Sequence, residues 1–329
     1  MLSICIPTFN RQESLILLLE SIYSNKYYQK SNFEICISDN CSKYNIKNII
    51  KKYQDKLDIK LNIFDKNYGR VTNMLKAVSM ASKKYVWLIG DDEIFLKDTL
   101  RTLQKILKNY DYIDFFYINF LFADKKINKK DLKFLNYRLF KKNFNLKKDF
   151  ILSFEDLFNK KINPDIFGGM FQSIFKKKLW NNFFKISEIT DGTKSIKEFS
   201  TLTNTFPHSY IFSIAFENPL SMVISKPVVM VSSGYREWAH LYPYVRSFRL
   251  IEIFEINYKK RNISIFKFIS IKNFLLRYYF VDLIYLFFKE KNIFRRLEIK
   301  KEINKIVYPF PYIYLIYYLC IKFLKNFKI

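Results

Sequence analysis

Asp91 and Asp92 stand side by side, followed by Glu93, directly after Gly90 and the apolar run Tyr85–Ile89. Adjacent carboxylates at a strand end supply hard oxygen ligands without a long loop, which suits Mg2+ or Mn2+. A cation there would offset the charge that develops as a nucleoside diphosphate leaves a sugar. The rival is a solvated turn, or a cap for the next helix. Asp39 ends a second apolar run, Phe33–Ile37 followed by Ser38. Its carboxylate can accept the imide N–H of uracil or thymine, or cap the helix that follows. Asn67, Gly69, Arg70 and Asn73 form an N-x-G-R-x-x-N cluster. Gly69 permits a tight turn and Arg70 can meet a phosphate or base, with a plain structural turn as the alternative.

These residues need a scaffold that gathers strand ends. Residues 1 to about 120 alternate short apolar runs with helical patterns, the signature of βαβ units. Strands are expected at Leu2–Ile6, Phe33–Ile37, Leu61–Phe64, Tyr85–Ile89 and Tyr112–Asn119. Helical patterns carry Leu15, Leu18, Leu19 and Ile22 on one face, and recur at Val71–Ala81 and Lys97–Leu107. In open parallel sheets ligands gather outside the carboxyl ends of the strands. Thr8–Arg11, Ser38–Asn40 and Asp91–Asp92 all fall there. Residues 124–150 read as a lysine-rich surface excursion. Order returns at Asn163–Trp180, with a strand at Pro227–Ser232 and an aromatic loop at Gly234–Pro243. From Val245 the pattern is helical and amphipathic, with Ile299, Ile303, Ile306 and Val307 on one face.

The chain of 329 residues is 50% hydrophobic, enough for a full core, and carries a formal charge of +26. From Leu241 to Ile329, 18 Lys and Arg face 6 Asp and Glu, a net of +12. That excess points to an anionic partner such as phospholipid head groups; an AT-rich codon bias is the bland account of the lysines. No apolar run approaches the roughly 20 residues needed to span a bilayer. The four cysteines show no metal-ligand spacing, and a reducing cytosol is expected. No basic leader precedes the first strand.

SICIPTFNR, ISDNCS, NYGRVTN and YVWLIGDDE, in that order, resemble the inverting family-2 glycosyltransferases of the GT-A fold. The likeness is greatest to a bacterial surface-polysaccharide branch with abequosyltransferase-like enzymes, and covers about residues 1–110. It implies an α/β fold with a Rossmann-like nucleotide-binding core, a mainly parallel sheet and a C-terminal helical region. It places Pro7, Thr8, Asn10, Arg11 and Asp39 around the nucleoside, with Asn67, Gly69, Arg70 and Asn73 also on the donor side. Asp91 would meet the ribose or assist the metal, and Asp92 would ligate it. Ile89 stands where the commoner D-x-D-D pattern has its first Asp.

Inversion needs a base to deprotonate the acceptor hydroxyl. No Glu-Asp pair stands at the family's usual position; His208, Asp191 and Glu198 are the candidates. His240 could complete the metal shell or be a loop histidine, and Trp238 could stack on a sugar or simply pack. The expected division is a catalytic domain over 1–243, with a nucleotide-sugar half over 1–123 and an acceptor half over 124–243. A basic, aromatic helical region follows over 244–329. The expected partners are a nucleotide-sugar donor (UDP, dTDP or CDP), a lipid-linked saccharide acceptor and the cytoplasmic face of the inner membrane; a homo-oligomer is an option, and nucleic acid is not expected. A dehydrogenase is disfavoured because no G-x-G-x-x-G follows the first strand. A nucleotidyltransferase would open on a glycine-rich loop. A non-catalytic basic binder would explain the charge but not three polar strand ends in order.

Overall fold

The computed structural model describes residues 1–123, 127, 140–189, 199–232 and 239–296, with 313, 316 and 319. The first half alternates strand and helix: β1 (Leu2–Thr8), α1 (Gln12–Tyr23), β2 (Phe33–Asp39), α2 (Ile46–Lys51), β3 (Ile59–Ile63), α3 (Arg70–Ser79) and β4 (Tyr85–Leu88). There follow β5 (Ile94–Phe95), α4 (Thr99–Asn109), β6 (Phe115–Ala123), β7 (Lys141–Lys142), β8 (Phe150–Ser153) and β9 (Ser173–Lys176). Then come α5 (Lys177–Ile186), α6 (Leu202–Thr205), α7 (Pro207–Ala215) and the long β10 (Leu220–Ser232). A turn of helix at Tyr242–Tyr244 and a π-turn at Val245–Arg249 lead into α8 (Leu250–Lys260), α9 (Ile265–Leu275), α10 (Tyr279–Lys289) and α11 (Lys291–Arg296).

The strands form one sheet in the order β3-β2-β1-β4-β9-β6-β10-β5, with β7 on β6 and β8 on β10. The β3-β2-β1-β4 half is wholly parallel, as the βαβ pattern predicts. Beyond it β10 runs parallel to β6, so the sheet is mainly parallel as expected, with shorter antiparallel pairings added. β9 lies antiparallel between β4 and β6, and β5 and β8 pair antiparallel with β10. Because β9 runs the other way, its first residues stand at the edge where β4 ends. Pro227, without an N–H to give, falls where the β10–β6 register breaks between Ile224 and Val229. β10 therefore begins earlier than the Val-rich run suggests.

Alternation along the strands builds two cores. Ile4, Ile6, Tyr85, Trp87, Phe116 and Ile118 face Leu15, Leu18, Leu19 and Ile22 of α1 and the apolar side of α4. Cys5, Val86, Leu88, Phe115 and Tyr117 face the other way, toward α3, α5 and α7. The ring of Phe115 is met edge-on by Phe154, Phe167 and Phe212, centroids 5.1 to 5.7 Å away, so much of the aromatic content is sheet-to-helix packing. Phe254, Ile271, Leu275, Tyr279 and Leu286 belong to this second core. The expected boundary near 244 thus marks a change from sheet to helix, while the core runs across it.

Candidate active site

Three loops leave adjacent parallel strands at one edge of the sheet, and hydrogen bonds stitch them together. After β1, Asn10 takes a left-handed backbone, φ 54°. Its N–H donates to Ser42 Oγ at 2.8 Å, and its Oδ1 accepts from the Lys43 N–H at 2.8 Å. After β2, the buried Asp39 carboxylate accepts from the Ser42 N–H and, at 2.5 Å, from Ser42 Oγ. Asn40 Nδ2 donates to Asn67 Oδ1 at 2.7 Å, and Asn67 Oδ1 also takes the Gly69 N–H. Gly69 has φ 89°, a conformation that suits glycine and opens α3. From α3, Asn73 Nδ2 reaches back to the Thr8 carbonyl at 3.0 Å, leaving its buried Oδ1 without a partner among the described residues.

The β4 end closes the ring. Thr8 Oγ1 donates to Asp91 Oδ2 at 2.6 Å, and Arg11 Nη1 lies 3.2 Å from Asp91 Oδ1 and 3.7 Å from Asp92 Oδ2. Burial raises the Asp91 carboxyl to about 6, with Arg11 opposing and the Asp92 charge adding to the rise. Asp92 stays partly exposed, its side chain 24% accessible. A Cβ placed on Gly90 would come within 2.7 Å of Asp92 Oδ1 and would also meet Glu93 Oε2, so both carboxylates lie close over Gly90. This is an all-oxygen donor set on one side only, the kind Mg2+ or Mn2+ accepts when substrate phosphates and water complete its shell.

The structure brings together Pro7, Thr8, Asn10, Arg11, Asp39, Asn67, Gly69, Asn73, Asp91 and Asp92 at this edge. Arg70 is turned elsewhere: it donates to the Asn204 carbonyl at 2.5 Å and stacks its guanidinium 4.5 Å from the Phe199 ring. It ties α3 to α6. His240 lies exposed in a turn at Ala239–Leu241. Among the described residues no three His, Cys, Asp or Glu side chains gather to hold a metal ion.

His208 faces inward. It is 4% exposed, and its Nε2 faces the Phe167 carbonyl at 2.9 Å, so that nitrogen donates and cannot take a proton. Burial pushes the ring down to about 3. Asp191, Glu198 and Trp238 lie outside the described residues, as does most of the 124–150 excursion and the Ile299–Val307 face. The reading from sequence missed Ser42, which locks Asp39, and Tyr44. Burial and the nearby charges of Asp39 and Asp91 raise the Tyr44 hydroxyl. The polar run Asp39-Asn40-Cys41-Ser42 was the available signal for Ser42; nothing local marked Tyr44.

The Glycosyl transferase family 2 description matches residues 3–179, more than half of the chain. The chain belongs to glycosyltransferase family 2. It is 29% identical over 249 residues to abequosyltransferase RfbV of Salmonella typhimurium, covering 70% of this chain and 66% of that protein. It is 27% identical over 243 residues to the GalNAc(5)-diNAcBac-PP-undecaprenol beta-1,3-glucosyltransferase of Campylobacter jejuni, 73% of each. Among solved structures it is similar to S. aureus TarS 1-349 in complex with UDP, TM-score 0.59 at 14% identity, over 89% of this chain and 74% of that one. At that identity the likeness speaks for the fold, and the fold is GT-A-like. The chain is a glycosyltransferase.

Proposed function

We propose that this glycosyltransferase moves a sugar, with inversion, from a uridine or thymidine diphosphate sugar to a lipid-linked saccharide in bacterial surface-glycan synthesis. The carrying observation is the stitched ring of three strand-end loops, which puts Asp39 and the Asp91-Asp92 pair on one edge. Asp39 keeps lone pairs beyond those taken by Ser42, and a carboxylate there suits an imide N–H; cytosine has none, so a cytidine donor is disfavoured. Asp92, assisted by Asp91, would hold a divalent cation, whose charge offsets that of the leaving diphosphate. Arg11, between the two aspartates, offsets one of their two charges before the donor arrives. The TarS structure holds UDP, a mannosyltransferase of Pyrobaculum calidifontis holds GDP-Man and Mn2+, and the C. jejuni relative's name specifies an undecaprenol-linked acceptor. These names support the donor, metal and acceptor classes assigned to this chain. A lipid-linked acceptor implies a working position at the cytoplasmic membrane surface; none of the described helices is long and apolar enough to cross a membrane.

The test is a thermal-shift screen against UDP, dTDP, CDP and GDP with and without Mn2+. A stabilisation that needs both the metal and an imide-bearing base is expected, because a ligand stabilises the state it binds. No shift with any nucleotide would leave a basic protein on a transferase fold.

A further inference from the structure

We propose that Asp165 is the carboxylate that takes the acceptor hydroxyl's proton, and that His208 and Ser209 are the residues that position it. This rests on the transferase reading above. β9 enters the sheet antiparallel beside β4, with Trp87 opposite Ile174. The residues just before β9 therefore reach the edge where Asp91 and Asp92 stand, and Trp87 Nε1 holds Phe171 there by donating to its carbonyl at 2.7 Å. Asp165 sits in this segment, half-buried.

The two residues after it are strained. Ile166 and Phe167 both adopt left-handed backbone, φ 45° and 64°, and both are buried. A β-branched residue at such a φ is a true outlier, and outliers of this kind persist where the surroundings over-determine them. Here they do. The Phe167 carbonyl receives His208 Nε2 at 2.9 Å and Ser209 Oγ at 2.5 Å, while the Phe167 N–H donates to Asn163 Oδ1 at 3.0 Å. Tyr117 donates to the same Asn163 oxygen at 3.1 Å. Gly168 completes the turn, for a Cβ there would lie 2.8 Å from Leu250 Cδ2 and 3.0 Å from the Asp165 carbonyl. A buried clamp thus holds a turn whose one ionisable side chain is Asp165, oriented by the Tyr242 hydroxyl, which donates to Asp165 Oδ1 at 3.2 Å.

In the step assigned, the acceptor oxygen bonds to the anomeric carbon as the carbon–phosphate oxygen bond breaks. The electron pair leaves on the diphosphate, and the acceptor's proton passes to the Asp165 carboxylate. The clamp explains why a buried histidine sits on this segment without itself acting as the base.

The experiment compares full-length variants for restoring surface glycan in the source strain lacking this chain, and for binding UDP and dTDP with Mn2+ when purified. Asp165→Asn still accepts the Tyr242 hydrogen bond, so a purely structural role would survive it. The expected result is nucleotide affinity unchanged and glycan reduced at least roughly 100-fold, the scale of a lost general base, with Asp165→Glu restoring part. His208→Ala is expected to lose glycan, and His208→Gln, whose amide can still donate to the Phe167 carbonyl, to regain it. Wild-type glycan from Asp165→Asn, or parallel loss of nucleotide binding, overturns the assignment of the base. Full activity of His208→Ala overturns the positioning role. An unchanged glycan in the strain lacking the chain strikes the transferase reading itself and this proposal with it.

Discussion

The two neighbouring aspartates do different work, and the difference is measurable. Asp91 is buried, bonded to Thr8 and paired with Arg11, so its removal leaves two polar partners and part of a cation unanswered. Asp92 is partly exposed, and its Arg11 contact is the longer of the two. Asp92→Ala is therefore expected to melt within a degree or two of wild type, as surface substitutions usually do, while sugar transfer falls by about 100-fold or more for want of charge offset on the leaving group. Melting curves beside nucleotide release from the donor check both halves. Turnover near the wild-type rate would remove the metal assignment. Asp91→Ala should instead lose stability along with activity.

Strands and helices position that chemistry through polar contacts as well as apolar ones, and Glu34 of β2 is a case with a pH signature. Its buried carboxylate accepts from Ser3 Oγ on β1 and from the Ser82 N–H and Oγ before β4, and pairs with Lys60 of β3 at 2.9 Å. Burial alone would raise it; those donors win and hold it at about 2 against an ordinary 4.5. Such a depression is worth about 3 kcal/mol of folding stability. Its sign follows from the lower folded value: the contribution is complete above about 4.5 and fades as pH falls toward 2. Urea denaturation from pH 7 to 3 should show this loss in wild type and a flatter profile in Glu34→Gln, which is weaker at pH 7. Equal slopes would remove Glu34 as a pin between four strands. The same strands were legible in the sequence because they are short, buried and bounded by polar residues. Thr8, Asp39 and Asp91 were legible as a site because a parallel sheet gathers strand ends. β9's antiparallel insertion was not legible, since Ser173–Lys176 is too short for periodicity to state a direction. Nor was the inward turn of His208, because FPHSYIF reads alike for a buried helix start and an active-site loop. Arg70 was open for a related reason: a guanidinium beside a glycine turn suits a phosphate and a row of carbonyls equally.

Taken whole, the molecule is lopsided: the candidate site lies on one edge of the sheet, and the described helices at the other end are basic and expose apolar rings. α9 exposes Ile265, Phe266 and Ile269, with Phe266 82% accessible, and α10 exposes Ile284, Tyr285, Phe287 and Phe288. Lys259 and Lys260 of α8, Lys289 of α10, and Lys291 and Arg295 of α11 are exposed on neighbouring elements. Aromatic side chains among lysines fit a bilayer interface, where rings enter the head-group boundary and each nearby cation gains about 1 kcal/mol from anionic lipid. A second protein copy would cover the rings but gain nothing from like charges set face to face. The full chain is therefore expected to sediment with phosphatidylglycerol-rich vesicles and to remain in solution with phosphatidylcholine ones. Raising salt should release much of it, because the attraction fades over a Debye length of about 8 Å at physiological ionic strength. Phe287→Asp with Phe288→Asp should abolish sedimentation while leaving the nucleotide thermal shift intact, since neither exposed ring is among the residues that stitch the strand-end loops together. Sedimentation indifferent to lipid charge, or a wild-type dimer that the double variant splits, would assign this face to a partner other than an anionic membrane.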